Sequence, residues 1–107
     1  MKDILESKKA LNFDLNNHLL KIYYPSKNYK KGWEDIQIYL KKNGFLHRQY
    51  SGYVSYGYIS IIDVINIITD MSLSFIWLKK CVKEFDVTIV GDEYSLIDYI
   101  NQENNLQ

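Results

Sequence analysis

The chain has one cysteine, one proline and five glycines among 107 residues, and neither sign of charge is in excess. Each scarcity excludes something. A lone Cys81 excludes an intramolecular disulfide and a multi-cysteine zinc site, and it fits a reducing compartment. With Pro25 the only proline, and no glycine- or serine-rich run, nothing marks an internal linker. Thirteen basic side chains cancel thirteen acidic ones, so the blanket positive field of a protein that coats nucleic acid is missing and any RNA contact must be local or transient. The most apolar stretch, residues 58–78, is interrupted by Asp63, Asn66 and Asp70, which argues against a membrane span. Residues 1–9 are charged and contain no apolar run, so no signal peptide is predicted and a cytoplasmic location is expected. No phosphate-binding glycine loop, dinucleotide fingerprint or hydrolase elbow occurs, and His18 and His47 fit no spaced metal motif.

What is present suffices for one core. At 47% hydrophobic, the sequence predicts a single domain over residues 1–107, with residues 1–7 as a polar N-terminal extension and 101–107 as an amide-rich tail that frays. Residues 10–15 alternate, with Leu11, Phe13 and Leu15 on one side and Ala10, Asn12 and Asp14 on the other, which predicts a strand with one buried face. Residues 16–26 read as turn-like. Tyr29, Trp33, Ile36 and Leu40 then recur at spacings of three and four, predicting a helix over 27–43 that Gly44 stops. Residues 45–50 and 52–56 read as two strands joined by a tight turn at Ser51 and Gly52. Ser60 and Asp63 open a helix over 61–71 whose polar stripe is only Asp63, Asn66 and Asp70, so it should be covered on more than one side. A short helical turn at 76–82 leads to a last strand at 83–90 and a terminal helix at 94–100.

The order β-α-β-β-α-β suits a ferredoxin-like α+β fold, a four-stranded antiparallel sheet with two helices on one face, plus a short C-terminal helix. Its open face would carry Asn12, Asp14, Glu84, Asp86 and Thr88. In this topology the last strand lies antiparallel beside the first, so Asp14 falls opposite or diagonal to Glu84, roughly 5 Å away. The same rim would gather Ser51 and, from the hairpin, His47 or Arg48. Two carboxylates so placed either hold a divalent cation such as Mg2+, with Asp14 as the ligand, or share acid and base roles. Both are routes to phosphodiester cleavage. Tyr50, Tyr53, Tyr56 and Tyr58 are placed either to pack or to stack bases. The lysine pairs at 8–9, 30–31, 41–42 and 79–80 are either solvated or phosphate contacts. Cys81 reads as a small buried hydrophobe.

Three segments carry a family resemblance: ALNFDL at 10–15, NGFLHRQYSGY at 43–53 and WLKKCVKEFDVTIV at 77–90. Together, in order and spacing over residues 9–100, they resemble the virulence-associated protein D (VapD) family of ribonuclease toxins. The resemblance implies a ferredoxin-like homodimer that cleaves RNA and is countered by an antitoxin protein. It assigns Asp14 and Glu84 to acid–base or metal-ligand work, Ser51 to orienting the phosphate and Leu20 to shaping the pocket. Arg48, Gln49 and Tyr53 are the further candidate substrate contacts. A cytoplasmic endoribonuclease of a toxin–antitoxin type system is thus expected. The competing class is a catalytically silent dimer that binds nucleic acid or protein. The apolar girth of the helix at 61–71 predicts a homodimer in either case, and both Trp33 and Trp77 should be largely buried.

Overall fold

Alternation along the first strand decides which side of the sheet is covered. In the computed structural model, which describes residues 7–48, 52–91 and 96–105, strand β1 (Lys8–Leu15) buries Lys9, Leu11, Phe13 and Leu15, while Asn12 between them is exposed. Strands β2 (Phe45–His47), β3 (Gly52–Ser55) and β4 (Val82–Val90) complete one antiparallel sheet in the order β2-β3-β1-β4. Helices α1 (Asn17–Tyr23) and α2 (Lys31–Lys42) connect β1 to β2, and α3 (Ile61–Ser74) and α4 (Leu78–Cys81) connect β3 to β4. Helix α5 (Ile97–Asn105) follows. The result is the expected ferredoxin-like α+β arrangement, with β1 and β3 central and β4 on the edge beside β1.

The core is built from the odd positions of β1, Leu20 of α1, Ile36 and Leu40 of α2, Val64 and Met71 of α3, and Trp77, Leu78 and Cys81. Lys9 also lies inside. Its backbone N–H donates to Ser55 Oγ at 3.0 Å and its ammonium donates to Ser7 Oγ at 2.6 Å, so the charge enters the interior with partners.

Several boundaries differ from the sequence reading for local reasons. The segment expected to be turn-like contains α1, because the Asn16 side chain accepts from the Leu19 N–H at 3.1 Å and caps a helix that buries Leu20. Helix α2 starts at Lys31 rather than 27, leaving Tyr29 of the apolar stripe in the preceding turn. Gly44 terminates it with φ at 90°, a conformation that side chains rarely adopt. Ser60 caps α3 by accepting from the Asp63 N–H at 3.0 Å, as expected, but the helix runs one turn further, to Ser74. Helix α5 begins at Ile97 and continues to Asn105, through most of the tail expected to fray.

Burial also departs from expectation in two places. Trp77 is enclosed, but Trp33 is only partly buried, stacked on Phe13 with its Nε1–H donating to Asn17 Oδ1 at 2.9 Å. On β4, Val87 and Ile89 face the helix side yet stay exposed, as do Ile62 and Ile65 of α3. Helix α3 therefore leaves an apolar groove between itself and β4, lined by Leu11, Val64, Ile65, Ile68, Phe85 and Val87. Among the described residues no helix is long and apolar enough to cross a membrane.

Candidate functional site

The even positions of β1 face away from the helices and pair with even positions of β4: Ala10 with Thr88, Asn12 with Asp86 and Asp14 with Glu84. Asp14 and Glu84 are thus directly opposite on neighbouring strands, with side chains on the open face. One step later the register breaks, because Leu15 pairs with Val82. Between those two pairs β1 advances one residue and β4 two, so Lys83 is the extra residue of a β-bulge.

That bulge re-aims a side chain. Strict alternation would turn Lys83 to the helix side. Instead its ammonium lies 3.6 Å from Asp14 Oδ2, with both side chains about half exposed. Asp14, Glu84 and Lys83 thereby form a compact group of two anions and one cation at the end of β1.

The backbone around this group is held on three sides. Above the bulge the Asn16 N–H donates to the Cys81 carbonyl at 2.8 Å, continuing the β1–β4 ladder. Below it Phe13 pairs with Phe85, and on the reverse side of the sheet their rings stack at 5.1 Å between centroids. Trp33 and Tyr53 stack on Phe13 at 5.6 and 5.8 Å. Such packing holds the two strand ends in register while leaving the carboxylates open to solvent.

The remaining candidates are dispersed. Ser51 and Gln49, with Tyr50, lie outside the described residues. Arg48 is exposed at the end of β2, and its N–H donates to the Gly52 carbonyl at 2.8 Å across the hairpin. Gly52 in turn pairs with Asn12, two residues before Asp14 on β1, so the hairpin and the carboxylates share one end of the sheet. His47 does not join them. It pairs with Tyr53 on the helix-covered side, where the two rings stack at 4.7 Å.

Two proposed substrate contacts are interior. Tyr53 is 4% exposed, with its ring between those of His47 and Phe13, so it presents no face to a base, and burial pushes its phenol up. Leu20 is fully buried against Gly32 and contributes core rather than a contact surface. Cys81 is also enclosed, and burial pushes its thiol up, away from reactivity. One of the paired lysines, Lys80, is engaged by a ring, 4.9 Å over Tyr23, and Lys21, outside the pairs, lies 5.3 Å over Tyr29. Among the described residues no group of three or more His, Cys, Asp and Glu is placed to hold a metal ion. Lys83 is the member of the group that the sequence reading missed, and only the strand register reveals it.

The fold and this group define a ferredoxin-like α+β protein with an open-face carboxylate pair at the β1–β4 junction. No protein-family model matches the chain. A curated protein of Riemerella anatipestifer, endoribonuclease VapD 2, is 22% identical over 92 residues, covering 86% of this chain and 98% of that protein.

Proposed function

We propose that this chain is an endoribonuclease that breaks RNA phosphodiester bonds at the Asp14–Glu84 pair. The observation that carries the reading is the direct cross-strand pairing of these two carboxylates on the open face. It is supported by the likeness, over most of both chains, to a protein named an endoribonuclease.

Cleavage needs a base for the attacking hydroxyl and an acid for the leaving oxygen. One carboxylate of the pair takes the proton as the oxygen–phosphorus bond forms. The other, which acts as the acid and must carry a proton at the outset, gives it to the ribose oxygen as its bond to phosphorus breaks. Ser51 is assigned to orienting the phosphate, with Arg48 and Gln49 as further hairpin contacts. Mg2+ commonly binds through one or two carboxylates completed by phosphate oxygens, so the pair suits it by donor type. Lys83 beside Asp14 already supplies a positive charge there, and we therefore assign the chemistry to acid–base groups of the chain.

The working unit in this proposal is a cytoplasmic homodimer, restrained by an antitoxin protein. The exposed apolar side chains of Ile62, Ile65, Val87 and Ile89 offer a surface for a second copy. Purified protein incubated with RNA, beside an Asp14→Asn control, tests the nuclease reading. Cleavage by wild type alone supports it, whereas a mobility shift with no cleavage by either protein favours a silent binding dimer. Growth arrest on induction, absent in Asp14→Asn, is the expected sign of a toxin.

A further inference from the structure

We propose that Lys83 is the phosphate-binding cation of this site, an inference that rests on the nuclease reading and adds a residue to it. An RNA phosphodiester is an anion. Asp14 and Glu84 face the same solvent, with Asp86 two residues further along β4. A polyanion approaching these carboxylates meets charge of its own sign, so productive binding needs a cation on the same face. Lysines on this chain are numerous, but the register places the Lys83 ammonium beside the pair.

Three features fit Lys83 to that role. The bulge brings it onto the open face, and bulges are a recurrent way to re-aim a side chain beside an active site. Its side chain is 57% exposed and therefore reachable by a ligand that never enters the core. Its 3.6 Å separation from Asp14 Oδ2 is longer than the 2.7–2.9 Å of a close charge-assisted hydrogen bond. A lysine ammonium has three donors, so it can take a non-bridging phosphate oxygen while staying beside Asp14. Bound this way, the phosphate sits beside a carboxylate of the pair that exchanges protons with the attacking and leaving oxygens. Lys83 would hold the substrate and screen its charge, and take no part in proton transfer.

A cation that touches phosphate leaves a signature that a merely structural ion pair does not. On single-stranded nucleic acid each phosphate neutralised contributes about −0.7 to the slope of log K against log salt. The test measures binding of a fluorescent 2′-O-methylated single-stranded oligoribonucleotide, in EDTA, across a salt series. Wild type, Lys83→Met, Lys83→Gln and Lys83→Arg are compared, each checked for an unchanged thermal midpoint. Removing the charge should flatten the slope by about 0.7 and weaken binding about eightfold at 50 mM salt, with the loss shrinking toward 1 M. Lys83→Arg should keep the wild-type slope. On unmodified RNA the neutral variants should raise KM more than they lower kcat. Should Lys83→Met fail to fold, the Gln and Arg variants carry the comparison. Wild type that binds and cuts RNA, with an unmoved slope in the neutral variants, overturns the assignment of Lys83 alone. Wild type that neither binds this probe nor cuts RNA overturns the nuclease reading, and this inference falls with it.

Discussion

Replacing Asp14 with asparagine separates what this side chain does for chemistry from what it does for the fold. The substitution keeps size and shape and deletes one charge. Two effects on stability then oppose each other. The Lys83–Asp14 pair, at 3.6 Å and half exposed on both sides, is screened by solvent and is worth about 0.2–1 kcal/mol. The like charge of Glu84 directly opposite costs a comparable amount, and that cost disappears with the mutation. The net change should lie within about 0.5 kcal/mol of zero, smaller than repulsion alone would predict. Activity should behave differently, because loss of a general acid or base costs about 10²–10⁴-fold, or roughly 3–5 kcal/mol of barrier. Urea melts and RNA turnover on the same two samples check both numbers. Turnover within twofold of wild type would refute the site. A stability loss above about 2 kcal/mol would instead mean that Asp14 is structural, since nothing in its half-exposed surroundings accounts for a loss that large.

Gly32→Ala should destabilise by about 1 kcal/mol in urea melts despite the helix propensity it gains. The new Cβ would stand 3.0 Å from Leu20 Cδ2 and 3.3 Å from the ring of Trp77, itself packed against Tyr24 and Phe75; a raised midpoint would contradict this. The Tyr24 hydroxyl donates to Asp35 Oδ2 at 2.5 Å, and burial first, then that acidic partner, push its phenol up to about 12 from 10.0. Because the folded value lies above the unfolded one, this stabilisation is complete below about pH 10 and is lost as pH rises toward 12, a decline that Tyr24→Phe should flatten. RNA cleavage should persist in excess EDTA, and its abolition there, with rescue by Mg2+, would move the pair from acid–base to metal-ligand work. Light scattering should return a dimer mass at micromolar concentration and a monomer for Ile65→Glu with its thermal midpoint kept, because Ile65 is 54% exposed on the isolated chain.

Much of the fold was legible because its signals are local. Leu11, Phe13 and Leu15 announce a strand with one wet side, Ser60 with Asp63 announces a helix start, and Gly44 a helix stop. Helix α1 is hard to read although its signals are present: Asn16 is a good cap, and Leu19 and Leu20 begin an apolar side, but a run of only seven helical residues has little periodicity to show. The pairing of Asp14 with Glu84 is also within reach, since antiparallel neighbours in this topology leave few registers that turn the apolar sides of both strands to the helices. What lay beyond reach depended on how many residues each strand spends between two pairings. His47 is close to Ser51 in sequence, and proximity suggests a shared rim, yet the β2–β3 register turns its ring to the helix side, against Tyr53, which Phe13 covers in turn. Lys83 is the converse case. Read by alternation it belongs with Phe85 and Val87 on the covered side, and nothing about its residue type says otherwise. A single unpaired step between Asp14–Glu84 and Leu15–Val82 reverses that placement and sets a cation beside two anions. The chemistry proposed for this site therefore depends on strand register as much as on residue identity. A deletion of Lys83 should accordingly remove the charge and leave the register in place: with the extra residue gone, Val82 and Glu84 become consecutive opposite Leu15 and Asp14, and the hydrogen bond from Asn16 to the Cys81 carbonyl beside the α1 cap is kept, so RNA binding should fall while the urea midpoint changes little.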